Sequence, residues 1–222
     1  MTPSNADTMP TGPFRWLKES NIGQAWLVLI LAILFGGSLA GIQLKLGPVI
    51  EQNKINETLE KVPELVLGKE LSMKMAAQNQ KLDITPRTIP VTAAGRTTFY
   101  NVYETSYQGD PKGYVIKAAG QGYADKVELL MGLDPTLSTI TGLFVLEQKE
   151  TPGLGNKIIE EKWRGQFTGK KTQPALAVTK TGAAAPNEID AVTGATSSSR
   201  TVTDIVNGAF SALSGPLTEK KN

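Results

Sequence analysis

The chain has 222 residues, a formal net charge of +2, and neither cysteine nor histidine. Those absences exclude thiolate and imidazole metal sites, iron–sulfur clusters, haem attachment through C-x-x-C-H, and Ser–His or Cys–His nucleophile pairs. No basic cluster interleaved with aromatics points to nucleic acid, so any redox chemistry must come from an organic cofactor.

Residues 1–22 begin rich in Pro, Thr, Ser and Asn and predict a disordered tail. From Ala25 to Leu44 the chain is almost wholly apolar, with no charge between Glu19 and Lys45. Twenty residues at helical rise cross a bilayer, which predicts a transmembrane helix over 23–46. A cleaved signal peptide is the competing reading, with Ser38-Leu39-Ala40 as a tolerable site, but the run is longer than an ordinary signal h-region. Charge does not orient the span: Arg15 and Lys18 precede it, and Lys45, Lys54 and Lys61 follow. Residues 47–95 read as a membrane-proximal helical connector, with Pro48 opening a helix through Lys61 and Pro63 and Gly68-Lys69 punctuating its end. The stretch from Glu70 to Thr97 is too mixed for a structural assignment.

A domain over 96–216 follows, then a short tail over 217–222. Segments 97–105, 113–120, 125–134 and 138–150 are β-branched and aromatic, and Gly, Asp and Pro turns separate them, which predicts antiparallel strands. Ile158, Ile159, Trp163 and Phe167 suggest a helix over 156–167, before a strand near 175–179. Val202, Ile205, Val206, Ala209, Phe210 and Leu213 recur at spacings of three and four, predicting an amphipathic helix from about Ser199 to Leu213. The fold class expected is α+β: an antiparallel sheet packed with helices, preceded by a single N-terminal transmembrane helix.

The start of that last helix carries the most specific chemistry. Thr193-Gly194-Ala195-Thr196-Ser197-Ser198-Ser199-Arg200 packs five hydroxyls and a glycine against its first turn. Unpaired N–H groups and the positive end of the helix dipole favour an anion there, and a phosphate is the natural candidate. An ordinary capped helix after a Gly turn explains the same local pattern. A second motif, Glu150-Thr151-Pro152-Gly153-Leu154-Gly155, makes a tight exposed loop, and as a bare pattern it is a strand-to-helix turn. Gly165 to Thr172 superficially suggests a P-loop, but its glycine spacing is short by one and Lys171 stands where Ser/Thr is needed. Asp125, Glu128 and Asp134 read as solvated strand carboxylates. Tyr114, Tyr123 and Trp163 could stack on an aromatic cofactor or simply fill the core.

With Asp190 added, Asp190-Ala191-Val192-Thr193-Gly194-Ala195-Thr196-Ser197-Ser198 resembles the flavinylation motif of the FMN-binding domain family, and Glu150 to Gly155 resembles that family's E-T-P-G-L-G loop. The resemblance covers roughly residues 100–213. It implies covalent FMN, transferred from FAD by a Mg-dependent flavin transferase and joined as a phosphoester to the last Ser/Thr of the motif, which by position is Ser198. Ser197 and Ser199 flank it with equivalent hydroxyls. The same resemblance implies cofactor contacts from Thr193, Gly194, Ala195, Thr196 and Ser197, and from Thr151, Gly153, Leu154 and Gly155. No metal site and no independent substrate turnover are expected. One span followed by this domain is the layout of a subunit of the Rnf (Rsx) ion-translocating ferredoxin:NAD oxidoreductase, whose other subunits would be partners. The sodium-pumping NADH:quinone oxidoreductase has a similar subunit, and an anchored regulatory or binding protein is a further alternative. The resemblance implies the bacterial cytoplasmic membrane, with the FMN domain on the extracytoplasmic side.

Overall fold

The computed structural model describes residues 21–93 and 95–219; the expected tail over residues 1–22 lies almost entirely outside them, as do residues 220–222 of the expected C-terminal tail. The chain divides between Ile55 and Asn56 into two compact units. The described part of the first unit is helical. It belongs to α1 (Asn21–Leu67), a helix long and apolar enough to cross a membrane. Trp26, Leu29, Leu34, Phe35 and Leu39 are exposed around the N-terminal half of this helix, and an apolar surface on every side suits a lipid environment. Pro48 lies inside α1 and opens no second helix. Its ring removes one backbone donor, and the flanking turns carry the helix through.

The second unit is built on a five-stranded antiparallel meander in chain order: β1 (Asp83–Ala93), β2 (Arg96–Tyr107), β3 (Asp110–Gln121), β4 (Lys126–Leu133) and β5 (Ile140–Glu147). The four predicted strands are present within a few residues of their expected limits. β1 is an addition, and it falls inside the stretch expected to be a helical connector, where a short helix, α2 (Lys69–Ala77), precedes it. Pro86 and Pro90 blur the strand signal, yet β1 is an edge strand bonded only to β2, where missing donors are tolerated.

Both faces of the sheet are covered, and the side-chain alternation of the strands assigns each residue to one layer. Val115 and Leu130 face the last turns of α1, where Val62, Leu65 and Val66 close a small core with Tyr103. Ile116, Leu129 and Met131 face the opposite way, against Val202, Val206, Ala209 and Leu213 of the C-terminal helix, α4 (Thr196–Glu219). Each such side chain removed from water contributes about 1.5–3 kcal/mol, so these two layers anchor everything that follows.

The connection from β5 to α4 is compact and irregular. The expected helix over 156–167 is three short pieces: a 3-10 turn (Gly155–Ile159), α3 (Glu161–Arg164) and a second 3-10 turn (Gly165–Phe167). Ile158, Trp163 and Phe167 are buried at intervals of five and four while Ile159 faces solvent, so no single helical face exists. β6 (Ala177–Thr179) pairs in parallel with β7 (Glu188–Asp190), a strand too short for the sequence pattern to register. α4 starts three residues earlier and ends later than expected, taking in Thr196 to Ser198 and Leu217.

Candidate functional site

β7 delivers the hydroxyl-rich motif to the start of α4. Ile189, Val192 and Ala195 are buried in the main core, and Trp163 Nε1–H donates to Asp190 O at 2.7 Å. Gln166 Oε1 accepts the Asp190 N–H at 2.8 Å, and its amide nitrogen donates to Asp190 O at 3.4 Å. The backbone of Asp190 is thus clamped from the 3-10 segment. Trp163 has 7% exposure and stands edge-on to Phe167 with ring centroids 5.4 Å apart, so it is core and not a stacking platform. Tyr114 packs against the same core, while Tyr123 is exposed on the loop after β3.

Gly194 makes the turn into α4 with φ +80, a conformation side chains resist, and a Cβ there would stand 3.0 Å from Leu154 Cδ2. The glycine therefore allows the two motifs to approach. The first intrahelical bond runs from Ser199 N–H to Ala195 O at 3.1 Å, making Ala195 the N-cap. Alanine has no side-chain acceptor, so helix geometry leaves the N–H groups of Thr196, Ser197 and Ser198 without an intrahelical or capping partner among the described residues. That arrangement suits an anion bound to the helix end.

The five hydroxyls are not equivalent. Ser199 is buried; its Oγ accepts the Val192 N–H at 2.9 Å and donates to Ala195 O at 3.1 Å. Ser198, the acceptor expected by position, is only 3% exposed and its Oγ–H donates to Glu150 Oε2. Thr196 is half-buried as the first helical residue, and its Oγ1 makes no hydrogen bond among the described residues. Thr193 and Ser197 are exposed.

The ETPGLG loop reaches the helix start through its first and last residues. Glu150 is itself 3% exposed, and its Oε1 accepts the Ala124 N–H at 3.0 Å. Gly155 is buried against the pair, whereas Thr151, Gly153 and Leu154 are exposed. The loop thus presents three of its expected contact residues and buries the fourth. The site neighbour that motif reading could not place is Glu150, because its contact with Ser198 spans 48 positions.

The remaining candidates have structural partners. Asp125 pairs with Lys149 at 3.1 Å; the Lys126 N–H, and then Lys149, hold its carboxyl below the usual range. Glu128 pairs with Lys117 at 3.4 Å and Lys126 at 3.3 Å. Asp134 gathers the 134–139 turn: partial burial raises its pKa, but hydrogen bonds from the Thr136 and Ser138 hydroxyls and the Thr139 and Ser138 N–H groups outweigh this and lower it. The segment resembling a P-loop closes onto β5, with Gly169 N–H to Ile140 O at 2.8 Å and Lys171 Nζ donating to Thr139 Oγ1 at 2.9 Å. No cluster of metal-ligating side chains occurs among the described residues.

Residues 122–211, which contain both motifs and the helix start, match the family model of the FMN-binding domain. The chain is 41% identical over 108 residues to the G subunit of the Na(+)-translocating ferredoxin:NAD(+) oxidoreductase complex of Acetobacterium woodii, covering 48% of this chain and 51% of that protein. It is 36% identical over 95 residues to the C subunit of the Na(+)-translocating NADH-quinone reductase of Vibrio anguillarum, covering 40% of this chain and 37% of that one. In fold it is similar to the crystal structure of Shewanella oneidensis NqrC, with a TM-score of 0.61 at 17% identity over 77% of this chain and 99% of that one. The chain thus spans about half the length, or less, of these two curated relatives. The residues around the start of α4 fit the phosphate of an FMN: N–H groups and a hydroxyl without partners among the described residues, and a glycine that keeps the approach open.

Proposed function

We propose that this chain is a membrane-anchored electron-transfer subunit whose FMN is attached as a phosphoester at the start of α4, within an ion-translocating Rnf-type ferredoxin:NAD oxidoreductase as its G subunit. The observation that carries the reading is the helix start itself. Inside the segment matching the FMN-binding domain, α4 offers three orphan N–H groups beside an unbonded threonine hydroxyl. The N–H groups of Thr196, Ser197 and Ser198 would hold the phosphate, and Gly194 and Leu154 would border it. When bound, the flavin supplies one- and two-electron chemistry that a chain without cysteine or histidine lacks.

The geometry favours Thr196 over Ser198 as the attachment point. The Ser198 hydroxyl is turned inward, to the Glu150 carboxylate. Burial also keeps an incoming phosphorus away from Ser198, whereas Thr196 stands at the helix end with its Cβ directed toward the N-terminus. Ser198 keeps the support of its motif position and is the alternative. A flavin transferase acting on FAD is the proposed partner for attachment, and other Rnf subunits are the partners in electron transfer. A span within residues 23–46 tethers the domain, which we place on the extracytoplasmic side of the bacterial inner membrane. The higher identity to the ferredoxin:NAD(+) oxidoreductase relative favours the Rnf assignment over the quinone reductase.

In-gel fluorescence of the denatured full chain, co-expressed with a flavin transferase, tests attachment. A fluorescent band that survives denaturation, is retained in Ser198→Ala and is lost in Thr196→Ala is expected. Retention in Thr196→Ala with loss in Ser198→Ala would move the attachment to Ser198. Co-purification with ferredoxin-oxidising subunits, and not with quinone-reducing ones, is expected for the assembly.

A further inference from the structure

Glu150 is a buried carboxylate on which two other chain segments converge. Its Oε1 accepts the Ala124 N–H at 3.0 Å from the loop between β3 and β4, and its Oε2 accepts the Ser198 hydroxyl from α4. Its own N–H donates to Gln148 Oε1 at 2.6 Å, which fixes the backbone at the root of the ETPGLG loop. The space it occupies is reserved by glycines on both sides. A Cβ on Gly122 would collide with Glu150 Oε1, and one on Gly155 would lie 2.7 Å from Ser198 Oγ and 3.1 Å from Glu150 Oε2. The neighbouring cation, Lys149, is paired with Asp125, and no ion pair involves Glu150 among the described residues. A buried carboxyl group is costly unless its oxygens are hydrogen-bonded, so the contact to Ser198 is a strong constraint on both partners.

We infer that Glu150 is the residue that decides which hydroxyl of the cluster takes the flavin. It rests on the proposed covalent attachment and adds the origin of its selectivity. Ser199 is withdrawn by its two bonds to the Val192 N–H and Ala195 O, and Ser198 is held in the interior, out of reach of an incoming phosphorus, by its bond to the buried Glu150. The same carboxylate fixes the first turn of α4 against the loop, so Thr196 remains as the helix-end hydroxyl beside the orphan N–H groups. In the transfer, the threonine O–P bond forms as the P–O bond of the FAD pyrophosphate breaks. AMP leaves with the bonding electron pair, the hydroxyl proton passes to a base of the transferase, and no atom changes oxidation state. Glu150 contacts neither reacting bond and acts as a positioning residue.

Peptide mass spectrometry of the full chain, co-expressed with the flavin transferase, locates the label. In the wild type it is expected on Thr196. Glu150→Ala frees the Ser198 hydroxyl and raises the Ser198 share of the label by about tenfold, the value of one hydrogen bond to a charged group. Glu150→Gln keeps one acceptor oxygen for two donors and gives an intermediate share. Thr196→Ala alone is unlabelled, whereas Thr196→Ala with Glu150→Ala regains label on Ser198, a gain that a misfolded chain does not produce. Label confined to Thr196 in both Glu150 variants, with Thr196→Ala/Glu150→Ala unlabelled, overturns the inference. Label on Ser198 in the wild type also overturns it while leaving covalent attachment intact. A wild-type chain without label overturns the attachment on which it rests.

Discussion

Gly155→Ala is the substitution whose consequence follows most directly from the site geometry. The added Cβ would sit 2.7 Å from Ser198 Oγ, 2.8 Å from Glu150 Cβ and 3.1 Å from Glu150 Oε2, all well inside van der Waals contact. Neither partner is free to retreat, because both are buried and each holds the other. Overpacking at such a position costs about 1–3 kcal/mol. Loss of the Glu150–Ser198 bond adds about 1–2 kcal/mol, giving a total of about 2–5 kcal/mol. For a chain of this size that is a fall in Tm of about 4–20 °C. Gly153→Ala, two residues earlier in the same loop, is the internal control: its φ is +76, but nothing lies within 4 Å of the added Cβ. Only the left-handed backbone is penalised there, about 1–2 kcal/mol, and Tm falls by about 2–8 °C. The assay is thermal unfolding of the detergent-solubilised full chain by far-UV circular dichroism, with covalent flavin measured in parallel. Equal Tm values and equal flavin content for Gly155→Ala and wild type would refute the close packing of loop and helix start.

Trp163→Phe removes the Nε1–H bond to Asp190 O while keeping an aromatic ring in the core, and should cost about 1–2 kcal/mol by denaturant unfolding, with a lower flavin yield because the motif loses one of its clamps. Leu213→Ala opens a cavity between α4 and the sheet and should cost about 2–5 kcal/mol in the same assay. Asp134→Asn removes a carboxylate that gathers its turn, costing about 1–3 kcal/mol near neutral pH. Because the folded carboxyl is held below its unfolded value, this stabilisation is fully present above the unfolded pKa and lost as pH falls through the folded one. The stability gap between wild type and Asp134→Asn should therefore close in acid; a gap that stays constant from neutral pH down through the carboxylate range would contradict the hydrogen-bonded turn.

Much of the fold was legible because its strands are β-branched and aromatic runs bounded by Gly, Asp and Pro turns. Which face each residue takes was not, because β3 and β4 are buried on both sides: Val115 and Leu130 face one core while Ile116, Leu129 and Met131 face the other, within continuous apolar runs. β1 was illegible because Pro86 and Pro90 read as breakers, and only its edge position makes them harmless. The segment from Asn156 to Phe167 carries apolar residues at helix-compatible intervals, yet it folds as three turns, because Ile158, Trp163 and Phe167 seat in the core where a continuous helix would point Ile159. At the site, the helix start and both motifs could be read locally, since caps, glycines and hydroxyl clusters act over a few residues. What could not be read is which hydroxyls are spoken for. Ser198 meets its partner 48 positions away, and only the packed structure brings Glu150 to it.

A flavin bonded to this chain is the central claim. Its most direct test is the intact mass of the denatured, detergent-extracted protein after co-expression with a flavin transferase. The expected result is a mass increase equal to one FMN less one water, with flavin absorbance that stays with the polypeptide through denaturing chromatography. An unmodified mass, or a flavin that separates from the chain on denaturation, would contradict it.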